Sequence, residues 1–122
     1  MEIQKNQESS ISLNFNGAIG NWDVSNVSSM QQLFSGAVAF NQNIGSWNIS
    51  NITNATDFMT GKTPATFSAT NLDAIYNGWS SRPVKPNVSI TFGTAKYTAA
   101  GQAGKDILTG APNNWTIIDG GI

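Results

Sequence analysis

The chain has 122 residues, six Lys and Arg against seven Asp and Glu, a formal charge of -1, and neither cysteine nor histidine. That length suits one domain with a modest core, and the nearly cancelled, unclustered charge lacks the footprint that nucleic acid or an anionic membrane surface requires. Without cysteine there are no disulfides or thiolate metal sites, and without histidine no imidazole acid-base chemistry.

The opening "MEIQKNQESS" is polar and holds no apolar run of the signal-peptide kind, and no later stretch is long enough to span a bilayer. Residues 1–14 read as an N-terminal arm and a first partial strand. Met1 to Ser10 would serve as an attachment arm if the protein is a structural decoration, and Ile11, Leu13 and Phe15 alternate in "SISLNF" as a strand would.

Residues 15–64 contain one statement made twice. "NWDVSNV" at Asn21 to Val27 returns as "SWNISNI" at Ser46 to Ile52, and Phe15, Ile19 and Trp22 return as Phe40, Ile44 and Trp47, 25 residues on. A period of this length belongs to stacked repeats. Trp22 with Val24, and Trp47 with Ile49, alternate as a short strand facing the core. Ser-Asn then makes a turn, and Val27 or Ile52 points back inside.

Ser28 or Ser29, with Gln31 or Gln32 as capping-box partner, predicts a brief helix through Met30, Leu33 and Phe34. Thr53 or Asn54 does the same for Ala55, Phe58 and Met59. Gly36 and Gly61 fall where left-handed helix ends are needed. Such a strand-turn-helix unit leaves its large side chains half exposed and needs neighbours above and below. The predicted repeat core is Phe15, Ile19, Trp22, Val24, Val27, Phe40, Ile44, Trp47, Ile49 and Ile52, with Asn26 and Asn51 as a ladder of side-chain hydrogen bonds.

Residues 65–122 read as divergent capping units. Asn71 caps a predicted helix with Leu72, Ile75, Tyr76 and Trp79 at helical spacing, closing near Asn77-Gly78. "VSITF" alternates Val88, Ile90 and Phe92 as a strand. Thr98 caps a helix through Leu108 that ends at Gly110, and Trp115 with Ile117 returns to strand phase.

The residues offer little chemistry. Asp23, Asp57, Asp73, Asp106 and Asp119 show no spacing that identifies a glycosidase pair, and Asp23 becomes Asn48 in the second copy. "GQAGKD" at Gly101 to Asp106 is too short for a phosphate loop and lacks Ser or Thr after Lys105, so its small residues point to close helix packing. The Asn-x-Ser/Thr triplets at Asn26, Asn48, Asn51, Asn54, Asn87 and Asn114 are explained by hydrogen bonding in turns rather than by glycans. Trp22, Trp47 and Trp115 are in core phase. Tyr76, Trp79 and Tyr97 lie outside the strict repeat and form the candidate recognition patch, although for Trp79 an apolar-face role is the preferred reading.

"IGNWDVSNVSSMQQLF" and "FNQNIGSWNISNITNATDFM", from about Phe15 to Met59, resemble the BspA-like leucine-rich-type surface repeat of bacterial surface proteins, mycoplasma lipoproteins and some phage proteins. The segment from Leu72 to Ile122 is similar to the terminal cap that follows such repeats. The resemblance implies an α/β fold, a short leucine-rich-repeat-like solenoid with C-terminal capping units. It also implies a non-enzymatic, cofactor-free module on a bacterial or virion exterior, for adhesion or receptor binding. Its partners would be a protein or glycan receptor, with no nucleic acid and no membrane insertion. The alternative is structural: a phage tail-fibre or capsid-decoration protein docking on shell proteins or on copies of itself as a homo-oligomer.

Overall fold

In the computed structural model, which describes residues 14–122, the 25-residue recurrence is carried out in space by backbone hydrogen bonds. The expectations for Ile11, Leu13 and the Met1 to Ser10 arm lie outside the described residues. Met30, Gln32, Phe34 and Gly36 donate their N–H groups to the carbonyls of Asn54, Thr56, Phe58 and Thr60, at 2.8, 2.9, 2.9 and 3.4 Å. From Met30 to Gly36, every second residue of the first copy is thus tied to the residue just before its counterpart in the second. The pairing continues onward, with Ala55 bridged in parallel to Ile90 and the Met59 N–H donated to Thr91 O at 3.0 Å.

Among the described residues, the regular elements all lie in the second half. They are α1 (Ala69–Trp79), β1 (Ser89–Thr91), α2 (Ala99–Thr109) and β2 (Thr116–Ile118). The strands β1 and β2 pair in parallel, Ser89 opposite Thr116 and Thr91 opposite Ile118, with α2 as the connection that a parallel pair needs. The fold is therefore mixed α/β.

The brief helices predicted inside each copy do not form. Gln32 and Asp57 sit at φ of 60° and 58°, and Gly36 and Gly61 at 75° and 93°. A left-handed residue every four positions interrupts the i to i−4 ladder before a helical nucleus closes. The N–H groups go sideways to the next copy instead. The glycines do take the left-handed geometry expected of them, but they end turns rather than helices.

The Trp-x-Val/Ile segments are likewise not strands. The Ser-Asn turns after them are present, closed by Val27 N–H to Val24 O and Ile52 N–H to Ile49 O, both 3.0 Å. Asp23 and Asn48 use the same Oδ1 to receive the N–H of Ser25 (3.0 Å) and Ser50 (3.1 Å). Either residue type makes this turn, which accounts for their interchange. The Asp23 carboxyl is held below its ordinary value by the Ser25 hydroxyl and then by the Ser25 amide.

Both long helices match the sequence pattern. In α1 the buried residues are Leu72, Ile75, Tyr76 and Trp79, though the cap is Ser68, whose hydroxyl receives the Asn71 N–H at 3.2 Å, rather than Asn71 itself. In α2 the Thr98 hydroxyl receives the Ala100 N–H, and Gly110 ends the helix. Asp73 of α1 accepts from both the N–H and the hydroxyl of Thr98, at 2.8 and 2.6 Å, fixing one helix against the start of the other.

The core is a single cluster running the length of the described chain, with aromatic rings stacked between copies. Phe15, Phe40 and Phe67 follow one another at 6.2 and 6.4 Å, nearly parallel. Phe34, Phe58 and Phe92 form a second file of edge-on contacts. The buried indole of Trp47 donates to Ile19 O at 2.9 Å, and that of Trp79 donates to Ile44 O at 3.0 Å. Since Ile44 is the counterpart of Ile19, Trp79 is the structural successor of Trp47 although no motif surrounds it.

α1 rests directly on the second copy. A Cβ at Gly78 would collide with the carbonyl of Gly45, and one at Gly45 with the carbonyl of Ala74. Gly101 and Gly104 let α2 approach Asp73 and Tyr76 in the same way, the close helix packing expected of "GQAGKD". Helix propensity alone predicts that Gly78→Ala stabilises by about 1 kcal/mol. The contact with Gly45 reverses the sign, and we expect a net loss of about 2 kcal/mol, read as a lower melting temperature.

Candidate binding face

The parallel register sorts side chains into two files. Ser29 bridges Asn54, Ala55 bridges Ile90, Ser89 pairs with Thr116 and Thr91 with Ile118. Strand alternation turns Met30, Ala55 and Ile90 into the core, where they are buried, with Ile117 packed half-buried against it. The residues between them face outward. One file is Ser29, Asn54, Ser89 and Thr116; the other is Gln31, Thr56, Thr91 and Ile118. Parallel strands set neighbours in a file about 4.8 Å apart and the two files about 7 Å apart.

This face is polar without charge, except at one edge. Asn54 donates to Gln31 at 3.3 Å and accepts the Thr56 N–H at 3.0 Å. Where the second copy meets β1 and β2 the face dips into a depression of about 140 Å³, lined by Thr56, Asp57, Ser89, Ile90, Thr91, Thr116 and Ile118. Ile118 is 59% exposed there, an apolar side chain in an otherwise hydroxylated row. Asp57 is exposed and receives the Thr60 hydroxyl at 3.4 Å.

The proposed recognition patch is overturned. Tyr76, Trp79 and Tyr97 are buried, at 0, 1 and 6% exposure. Each has an internal partner for its polar atom, so none needs solvent. Tyr76 donates its hydroxyl to Asp119 at 2.6 Å, Tyr97 donates to Gln102 at 2.8 Å, and Trp79 donates to Ile44. Burial first, and the Asp119 hydrogen bond second, push the Tyr76 phenol far above its ordinary value. Lys105 completes this cluster, 2.9 Å from Asp119 and over the Tyr97 ring. Burial is the largest single influence and works against its charge, but the hydrogen bond and charge of Asp119 together with Tyr97 outweigh it, and the Lys105 value is raised.

Of the predicted repeat core, Ile19, Val24, Val27, Phe40, Ile44, Trp47, Ile49 and Ile52 are buried, while Phe15 and Trp22 are half-buried against it. Asn26 and Asn51 are both exposed. Asn51 reaches back to Ser25 O of the first copy at 2.7 Å, a side-chain bond between copies that does not involve the Asn26 side chain. A longer asparagine ladder lies elsewhere. Asn16 Oδ1 receives the Asn41 N–H at 2.8 Å, and Asn41 Oδ1 receives the Ser68 N–H at 3.0 Å and the Asn71 amide at 2.9 Å. Phe-Asn at 15–16 and again at 40–41 was the available signal.

One buried cation went unnoticed in the sequence. Lys62, 3% exposed, donates its ammonium to Ala37 O, Phe40 O and Thr66 O, at 2.7, 2.5 and 3.5 Å. It caps the carbonyls that end the first copy's turn, a structural role. Among the described residues no three His, Cys, Asp or Glu converge on a metal-sized site, and no helix is long and apolar enough to cross a membrane.

Fold and face together define a small mixed α/β protein of recurrent segments with a neutral, hydroxyl-rich outer ladder. The chain belongs to the family described as Mycoplasma protein of unknown function, DUF285, whose profile matches residues 7–101. No curated protein and no solved structure matches it.

Burial pushes Lys62 down from 10.5 to about 8. Between these values the unfolded chain holds the proton that the folded chain has lost, so stability rises with pH across that window. Urea unfolding at pH 9 should give about 1 kcal/mol more than at pH 7, and Lys62→Met should abolish the difference.

Proposed function

We propose that the chain is a short solenoid of four parallel rungs, related to the BspA-like surface repeats, and that it works as a non-enzymatic contact module on a bacterial exterior. The rungs run about 15–38, 40–62, 67–94 and 97–120, the last two replacing the irregular outer side of the first two with α1 and α2. The observation that carries the reading is the pair of outward files, Ser29 to Thr116 and Gln31 to Ile118, laid across all four rungs in register. Uncharged hydroxyls and amides in fixed positions suit adhesion or receptor binding by many weak hydrogen bonds, to a protein or a glycan. The family's description names Mycoplasma, so the reading is drawn for a bacterial protein rather than a virion part.

Labelled full-length chain should bind members of a panel of immobilised glycans and extracellular-matrix proteins. The double variant Thr56→Glu, Thr116→Glu should lose at least about tenfold in affinity with little change in melting temperature, since both side chains are exposed and charge replaces hydrogen-bonding groups only on the outer face. Binding unaltered by these two substitutions, or no binding to any panel member, would exclude the reading.

A further inference from the structure

The depression on the ladder face has a chemistry more specific than its surroundings. Its lining is largely apolar in character: the buried Ile90 and the exposed Ile118 stand beside Thr56, Thr91 and Thr116, side chains that each carry a methyl group. Its single charge is Asp57, and no lysine or arginine lines it. Asp57 occupies the left-handed position whose counterpart in the first copy is Gln32, at φ of 58° and 60°, so the backbone is the same and only the charge is new. Thr60 steadies the carboxylate from one side through its Oδ1.

A depression lined by isoleucines and threonines with one exposed carboxylate among them matches one class of group, an alkyl stem with a cationic head. We propose that this depression receives a lysine side chain of a partner protein, its methylenes lying along Ile118 and the threonine methyls and its ammonium meeting Asp57. The proposal rests on the surface-contact reading and narrows it, making the partner a protein that presents lysine rather than a glycan. An exposed ion pair of this kind is weak by itself. Affinity then comes from the neighbouring hydrogen bonds of the two files, with the lysine setting register.

The test uses the full chain, isotopically labelled, titrated with N-acetyl-lysine amide and, separately, with N-acetyl-norleucine amide, which keeps the stem and lacks the ammonium. The lysine probe should shift the amide signals of residues 56–57, 89–91 and 116–118 with a dissociation constant on the order of a millimolar or weaker. The norleucine probe should bind at least twofold more weakly. Asp57→Asn keeps a residue suited to the left-handed backbone, so it should fold normally and weaken the lysine probe about two- to fivefold, while Asp23→Asn should leave the titration unchanged. Equal binding of both probes, shifts outside these segments, or indifference to Asp57→Asn would overturn the proposal. Panel binding that survives without lysine recognition would overturn the groove alone. Lysine recognition without panel binding would sustain the groove and remove the adhesive reading.

Discussion

The structure depends on one exchange: N–H groups of one copy are given to carbonyls of the next, rather than to carbonyls four residues back in their own copy. Met30, Gln32, Phe34 and Gly36 donate to Asn54, Thr56, Phe58 and Thr60, and Met59 passes the pattern to Thr91. A buried polar backbone must find partners somewhere, and left-handed residues at 32, 36, 57 and 61 remove the local option. Neither copy therefore has a satisfied backbone alone. Ring stacking and the indole bonds of Trp47 and Trp79 follow from that forced adjacency.

The same exchange explains which parts of the sequence were legible. Helices α1 and α2 satisfy their own backbones, so their caps and apolar spacing announce them, and both run close to the expected bounds. The repeats announce which residues are inside, because burial of Val24, Val27, Ile49 and Ile52 depends on side-chain type alone. They do not announce secondary structure. Met30, Leu33 and Phe34 have helical spacing, yet Gln32 between them is left-handed, a choice made by the neighbouring copy rather than by local propensity.

The candidate site was less legible. Tyr76, Trp79 and Tyr97 look like an exposed aromatic patch only while their polar atoms lack partners. Those partners, Asp119, Ile44 O and Gln102, lie 43, 35 and 5 residues away. The outward files are invisible in sequence because Ser, Thr, Asn and Gln are common throughout, and only register distinguishes Thr56 and Thr91 from the rest. Asn16 and Asn41 were readable from their repetition, since each follows a repeating phenylalanine.

The indole bonds carry one more implication. Trp47 reaches Ile19 across 28 residues, whereas Trp79 makes the equivalent bond to Ile44 across 35. Seven additional residues were absorbed on the side bearing α1 without disturbing the hydroxylated ladder. Chain length on that flank is thus free to drift through insertion or deletion, while the opposite flank is held to a fixed pitch. Length added on one side of the molecule leaves the spacing of the outward files intact.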